Sequence, residues 1–191
     1  MNSVLFTHSY FYKYDPKQWR FKQPYPPLGT LQAASVVREA GFPVALFDTN
    51  LRDNTREIIP ALRKSKAAYF VIYDDGFNYL TKMCLTNMRE AAFDMGRQAK
   101  KFGCTVIVSS SDAADHYEKY FTHGVDYVIR GEGEEALKTL LCTLEKRGDV
   151  SHVKGIAYKK FGSTALLIHE SIRIAHRQSY SYFDFEGSML E

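Results

Sequence analysis

Five short apolar runs alternate along the chain with segments of helical period. The runs occupy residues 3–7, 43–47, 68–73, 105–109 and 126–130. Their nearly continuous apolar character is typical of strands in a parallel sheet that is covered on both faces. The helical segments between them cover residues 28–40, 54–66, 79–102, 112–122 and 132–146. This alternation predicts a doubly wound α/β domain, Rossmann-like or flavodoxin-like, with a five-stranded parallel sheet and helices on both faces.

Three glycines lie between helical segments and the strands that follow them. Gly41, Gly103 and Gly124 each follow a helical segment and directly precede a strand. A helix that ends on a left-handed residue places glycine at this position, because glycine has no Cβ to clash there. The repeated order of helix, glycine and strand therefore supports the βαβ interpretation.

Two stretches lie outside the alternation. Residues 9–27 form a long connection that is rich in aromatic residues, lysine and proline, and connections of this length are usually functional or disordered. Residues 154–159 and 165–169 flank a Phe-Gly-Ser turn and predict a β-hairpin. We therefore divide the chain into an α/β domain (1–150), a C-terminal hairpin extension (151–170) and a linker (171–191).

Composition narrows the class of protein. The formal net charge of +3 neither requires nucleic acid nor excludes an anionic ligand. No apolar run reaches the roughly 18 residues that span a bilayer, and the N-terminus lacks a signal-peptide pattern. The three cysteines, Cys84, Cys104 and Cys142, form no CxxC or CxxxCxxC pattern. We expect a cytoplasmic protein that binds neither nucleic acid nor membrane and keeps its thiols reduced.

The candidate chemistry lies where the strands end. In an open doubly wound sheet, ligands bind beyond the carboxyl ends of the strands, at the point where the strand order reverses. Polar residues and glycines follow all five predicted strands, so we expect a ligand site at that edge. The residues concerned include His8, Ser9, Asp48, Tyr73, Asp74, Asp75, Gly76, Ser109, Ser110, Ser111, Gly131, Glu132 and Gly133.

The sequence contains only parts of three known functional motifs. Gly131-x-Gly133-x-x-Ala136 resembles a dinucleotide fingerprint, but it follows the fifth strand instead of the first and its acidic residues would repel a pyrophosphate. Asp74 resembles the phosphoacceptor of a receiver domain without the acidic pair and the lysine that such a domain needs. Ser110 lacks the elbow of a serine hydrolase and is better explained as a helix cap. The six histidines share no metal-ligand spacing.

Four segments taken in order resemble a known family. They are PPLGxLxxA (26–34), AGFxV (40–44) followed by Asp48, DGFNxLxKMC (75–84) and DYVIxGEGE (126–134). In this order and at these strand ends, they resemble the cobalamin-binding domains of radical S-adenosylmethionine enzymes. The branch most like this chain includes anaerobic magnesium-protoporphyrin ester cyclases and carbon methyltransferases.

The resemblance implies that a corrin lies across the strand ends. It assigns cobalamin contacts to His8, Ser9, Tyr73, Asp74, Asp75, Gly76, Phe77, Asn78, Ser109, Ser110, Ser111, Gly131, Glu132 and Gly133. It assigns no catalytic residue and no metal ligand. The D-x-H-x-x-G motif that supplies a histidine to cobalt in many cobalamin domains is absent, so we expect cobalt without a protein histidine. For His8 we expect a hydrogen-bonding role.

The resemblance also implies a larger parent enzyme. A radical S-adenosylmethionine centre needs three closely spaced cysteines for its [4Fe–4S] cluster, and this chain lacks them. We therefore expect S-adenosylmethionine and the cluster in a radical domain downstream of Glu191, with this segment not catalytic alone. Two alternatives stay open: a degenerate Rossmann-like scaffold or substrate-recognition domain that has lost cobalamin, and a free-standing nucleotide-binding α/β enzyme.

Overall fold

One sheet organises the protein. A computed structural model describes residues 1–21, 23–24, 26–74, 85–131, 133–159 and 166–168. The strands are β1 (Val4–Thr7), β2 (Val44–Phe47), β3 (Tyr69–Tyr73), β4 (Thr105–Ser109), β5 (Tyr127–Ile129), β6 (Ile156–Lys159) and β7 (Leu166–Ile168). Their order in the sheet is β2-β1-β3-β4-β5-β6-β7, and the first five are parallel. The five predicted parallel strands are confirmed, as is their flavodoxin-like arrangement.

The predicted C-terminal hairpin is also confirmed, and it belongs to the same sheet. Strand β6 pairs antiparallel with β5, with Ile129 opposite Ile156, and β7 pairs antiparallel with β6. The ladder continues past β5, since the backbone N–H of Arg130 donates to the carbonyl of Gly155 at 2.7 Å. The hairpin thus covers what would otherwise be an open edge of β5, and the described sheet has seven strands in place of five.

Helices cover both faces of the sheet. They are α1 (Pro16–Phe21), α2 (Leu28–Glu39), α3 (Ile58–Ser65), α4 (Leu85–Lys101), α5 (Ser111–Thr122) and α6 (Gly133–Glu145). The apolar sides of α3, α4 and α5 pack on one face, and those of α2 and α6 pack on the other. The predicted helices are confirmed for α2 to α6, although the segment 79–84 lies outside the described residues. The short helix α1 was not predicted, and it lies in the aromatic-rich connection.

The three predicted helix-ending glycines adopt left-handed backbone conformations. Gly41, Gly103 and Gly124 have φ values of +94°, +80° and +91°. Each lies between a helix and the following strand, as the pattern of the sequence requires. The left-handed turn at each glycine ends the helix and determines the direction in which the following strand enters the sheet.

The strand order reverses between β1 and β3. From β1 the chain turns to α2 on one face, whereas β3 is followed along the chain by α4 on the opposite face. The connections leave the two neighbouring strands in opposite directions, which opens a crevice at their carboxyl ends. The structure therefore places the expected ligand edge at the end of β1 and β3.

Candidate functional site

His8 directly follows β1 and is held by the loop that follows β2. Its Nε2 lies 2.9 Å from Oδ1 of Asp48, and the hydroxyl of Thr49 lies 3.0 Å from Nδ1. The ring is buried. Burial alone would raise the pKa of Asp48, but hydrogen bonds from His8 and from the backbone N–H of Asn50 outweigh it and hold that pKa below its usual value. Both ring nitrogens of His8 therefore face protein groups.

Ser9 and Asp74 bridge the crevice between β1 and β3. Oδ1 of Asp74 accepts the backbone N–H of Ser9 at 2.7 Å, and Oδ2 accepts its hydroxyl at 2.8 Å. Burial raises the pKa of Asp74, and the two hydrogen bonds from Ser9 partly oppose that rise. Within the described residues, Asp74 has no ion-pair partner. The bridge fixes the two strand ends at the centre of the site.

Three consecutive serines lie at the end of β4. Ser109 is buried at the end of the strand. The hydroxyl of Ser110 accepts the backbone N–H of Ala113 at 3.0 Å, which confirms that it caps α5. Ser111 begins that helix and is exposed. This edge offers hydroxyls and the first turn of a helix to anything that lies above it.

A buried ion pair lies beneath these serines. Asp112 accepts hydrogen bonds from Nε of Arg89 at 2.7 Å and from the hydroxyl of Tyr120 at 2.8 Å, and its other oxygen contacts Nη2 of the same arginine. Burial would raise the pKa of Asp112, but these donors hold it below its usual value. Sequence reasoning missed this network, because Arg89 and Asp112 are far apart in the chain and neither carries a motif. The ion pair between Arg89 and Asp112 joins α4 to α5 below the carboxyl edge of the sheet.

Glycines end β5. Gly131 is exposed and has φ +88°, a conformation that side chains rarely adopt. Gly133 is buried at the start of α6, where a Cβ atom would lie 2.9 Å from ring carbons Cε2 and Cζ of Tyr73 and closer still to its hydroxyl. The carbonyl of Tyr73 accepts the hydroxyl of Thr30 at 2.6 Å. Tyr73 therefore joins the end of β3 to both α2 and α6.

Arg130 lies between the last residue of β5 and Gly131. Its guanidinium lies over the ring of Tyr117, with Cζ 5.5 Å from the ring centroid. Its Nε is buried and has no hydrogen-bond partner among the described residues. The sequence places this residue at the end of the fifth strand, where a receiver domain would need a lysine, but assigns it no role in the site.

The structure brings most of the predicted site residues to one edge. Of the predicted residues, those buried by protein contacts are His8, Ser9, Tyr73, Ser109 and Gly133. Asp74 and Ser110 are partly exposed, and Ser111 and Gly131 are exposed. The remaining predictions, Asp75, Gly76, Phe77, Asn78 and Glu132, lie outside the described residues. The contacts of the whole predicted set with cobalamin stay a prediction.

The described ranges contain neither a metal-binding cluster nor a membrane-spanning helix. No three His, Cys, Asp or Glu side chains in them lie close enough to hold a metal ion. No helix in them combines the length and the apolar composition that crossing a bilayer requires.

The fold is similar to part of two solved enzymes. One is OxsB, a cobalamin-dependent S-adenosylmethionine radical enzyme solved with aqua-cobalamin. The match covers 90% of this chain and 22% of OxsB, with a TM-score of 0.66 and 18% sequence identity. A second similar structure is the radical S-adenosylmethionine methyltransferase TsrM from Kitasatospora setae, solved with cobalamin and a [4Fe–4S] cluster. The match covers 93% of this chain and 30% of TsrM, with a TM-score of 0.63 and 14% sequence identity. The structure of TsrM with its tryptophan substrate and an S-adenosylmethionine analogue matches 84% of this chain and 29% of TsrM, with a TM-score of 0.61 and 15% sequence identity.

At these identities the likeness shows a shared fold. The chain spans less than a third of the length of these enzymes. No model of a known protein family and no curated protein sequence matches the sequence significantly. The chain therefore shares the α/β fold found in a part of these cobalamin-containing radical S-adenosylmethionine enzymes.

Proposed function

We propose that this chain is the cobalamin-binding module of a larger radical S-adenosylmethionine enzyme, with the corrin lying over the carboxyl ends of β1, β3, β4 and β5. The observation that carries the proposal is the fold match over most of this chain to solved enzymes that contain cobalamin. In this proposal the chain is not catalytic alone, and S-adenosylmethionine and the [4Fe–4S] cluster belong to a downstream domain of the parent enzyme. When bound, cobalamin supplies a cobalt centre that carries a methyl group or assists radical chemistry.

The residues at the edge fit this cofactor. The corrin periphery carries amide groups, which donate and accept hydrogen bonds. The edge offers the hydroxyl of Ser111 and the exposed backbone of Gly131, and Asp74 is partly exposed there. Because Gly131 has no side chain, a large flat ligand can approach its backbone closely. These residues would hold and orient the ring by its rim.

A test of the site is a bulky side chain at Ser111. This exposed residue begins α5 at the carboxyl edge, so Ser111→Trp leaves the helix cap at Ser110 intact. We expect the variant to fold normally and to bind cyanocobalamin about tenfold more weakly, or worse, as measured by isothermal titration calorimetry; tenfold corresponds to about 1.4 kcal/mol.

The matched control is Thr122→Trp. Thr122 is exposed at the other end of the same helix, which is at the amino edge of the sheet. It should bind cyanocobalamin as the wild type does. Equal affinity in all three proteins would place the ligand elsewhere, and no binding by the wild type would favour the scaffold alternative.

We further propose that no protein histidine binds the cobalt. Among the described residues, His8 is the histidine that directly follows a strand at this edge, and its ring is buried against Asp48 and Thr49. Releasing a nitrogen would break these contacts and leave polar groups without partners.

Electron paramagnetic resonance of bound cob(II)inamide tests this proposal. Cobinamide lacks the nucleotide base of cobalamin, so any nitrogen splitting from an axial ligand must come from the protein. We expect no such splitting. Splitting that is present in the wild type and absent in His8→Ala would identify His8 as the ligand and contradict the proposal.

A further inference from the structure

Cations gather at the amino edge of the sheet, on the side that α3, α4 and α5 cover. Each of these helices ends there, because it leads into the amino end of β3, β4 or β5. Strand β6 runs the other way and therefore also ends at this edge. The exposed cations at these four ends form a basic strip: Arg63, Lys64, Lys66, Lys100, Lys101, Lys119 and Lys159. The strip is continuous, since strands β3 to β6 are neighbours in the sheet.

Few acidic groups offset the charge of the basic strip. Asp126 forms an ion pair with Lys100 at 2.8 Å, and Glu118 is exposed one residue before Lys119. Within the described ranges, the other cations of the strip form no ion pair. Packed helices lie about 8–10 Å apart, close to the Debye length of about 8 Å at physiological salt. The charges of neighbouring helix ends therefore reinforce each other.

The helix dipole does not account for the strip. It favours a cation in the last turn of every helix, whichever side of the sheet the helix covers. On the opposite side, where α2 and α6 end, charges of the two signs are balanced. The charged residues there are Arg38, Lys146 and Arg147 against Glu39, Glu145 and Asp149. The excess of positive charge is thus particular to the side of α3, α4 and α5.

Lys66 occupies its place in the strip at a conformational cost. It directly follows α3 and has φ +47° and ψ +39°, in the left-handed region. The left-handed positions that follow α2, α4 and α5 are all glycines. A residue with a side chain is strained in this conformation, whereas glycine adopts it freely. Strain that is retained at an exposed position points to a role for the side chain, which here is a cation.

An exposed aromatic ring lies near the middle of the strip. Phe102 directly follows α4, which packs against both α3 and α5, and 41% of the residue is exposed. Beside it, a side chain at Gly103 would have open space around it. Interfaces between proteins combine aromatic residues at the centre with a polar rim. Phe102 among the cations of the strip has this arrangement.

We infer that the basic strip and Phe102 bind an acidic surface of a protein, with carboxylates opposite the cations and an apolar or aromatic side chain against Phe102. Phosphate polymers fit less well, because phosphates bind best at helix N-termini, whereas the strip lies at helix C-termini, whose dipoles repel anions. Glutamate and aspartate side chains can reach the ends of lysine side chains without approaching the helix backbone.

The strip lies at the edge of the sheet opposite the proposed ligand site. It is therefore accessible whether or not a ligand occupies the carboxyl edge. The inference goes beyond the proposed function and does not depend on it.

The experiment compares four probes and four proteins. A glutamate–tyrosine copolymer imitates an acidic protein surface, poly-L-glutamate lacks its aromatic groups, and single-stranded polythymidylate and vesicles of phosphatidylserine and phosphatidylcholine represent nucleic acid and membrane. The proteins are the wild type, Lys66→Glu/Lys101→Glu, Phe102→Ser and Lys17→Glu/Lys154→Glu. The last is a matched control, because it changes the net charge equally at two exposed lysines outside the strip. Fluorescence anisotropy measures polymer binding, cosedimentation measures vesicle binding, and thermal unfolding verifies that each variant is folded.

We expect the wild type to bind the copolymer more tightly than the other three probes, with an affinity that falls as salt is added. Lys66→Glu/Lys101→Glu should weaken this binding by about tenfold or more, and the control should behave as the wild type. Phe102→Ser should remove the preference for the copolymer over poly-L-glutamate. Saturation with cyanocobalamin should change none of these affinities.

Three results would overturn the inference. They are no binding of the copolymer, equal losses in the two double variants, and tighter binding of polythymidylate or of the vesicles, which would assign the strip to nucleic acid or to a membrane. Each of these results would leave the proposed function standing, because none of them concerns the carboxyl edge.

Discussion

Replacing Asp112 with alanine should destabilise the protein by about 2–3 kcal/mol at neutral pH. The substitution leaves the guanidinium of Arg89 and the hydroxyl of Tyr120 without their acceptor in a largely buried position. Loss of one partner of a fully buried ion pair costs about 3–5 kcal/mol, and the partial exposure of Arg89, 20% of its side chain, reduces that figure. Urea denaturation followed by circular dichroism would measure the change in the free energy of unfolding.

An exposed pair supplies the control for this prediction. Asp94 and Arg97 are three residues apart on α4, and about half of each side chain is exposed. Asp94→Ala should therefore cost roughly 0–0.5 kcal/mol. Comparable losses in the two variants would mean that the Asp112 network carries no special stability.

The effect of Asp112→Ala should also depend on pH in a defined direction. The pKa of Asp112 in the folded protein lies below its ordinary value of 3.8, so the carboxylate contributes its full stability above that value. As the pH falls through the lowered pKa, the side chain becomes protonated and this contribution is lost. The difference between the wild type and the variant should therefore shrink in strongly acidic solution.

Gly133→Ala should destabilise the protein by about 1–3 kcal/mol, the range that overpacking of a filled interior costs. The new Cβ would lie 2.9 Å from two ring carbons of Tyr73, too near for the ring to stay where it is. Because Tyr73 is buried, its ring has little room to move away from the added methyl group. Chemical denaturation would measure the loss.

A double-mutant cycle identifies the cause of that loss. In a Tyr73→Leu background the added methyl group has no ring to meet, so the penalty of Gly133→Ala should fall substantially. Gly96→Ala on α4 is the matched control, because its Cβ would meet Val106 at an ordinary distance of 3.6 Å. That variant should be neutral or stabilising, since alanine is the better helix former. An unchanged penalty in the leucine background would show that Tyr73 is not the obstacle.

The fold could be predicted from the sequence because its signals are local. Continuous apolar runs marked the five parallel strands, glycines marked three helix ends, and Ser110 had the residue type and position of a cap. Each of these features depends on residues near one another in the chain. The short helix α1 was missed, because its six residues show too little apolar periodicity to distinguish them from a loop.

The site was predictable in position and not in detail. The carboxyl edge follows from strand topology alone, so residues such as Ser9 and Asp74 could be placed there from the sequence. Their hydrogen bonds to each other, however, join strands 65 positions apart. The contact of Tyr73 with Gly133 and the unsatisfied Nε of Arg130 likewise arise from tertiary packing. Residue type gave no sign of either.

The hairpin determines the direction in which the described sheet ends. Strand β6 runs against the five parallel strands, and β7 reverses again, so β7 points the same way as they do. Ile168, its last residue, is level with Ala157 and Val128 and is directed toward the ligand edge. Without this double reversal, a chain leaving β6 would depart from the far side of the molecule. The hairpin thus returns the chain to the carboxyl edge of the sheet, and in the proposed parent enzyme a following domain would start on the same side as the proposed ligand site.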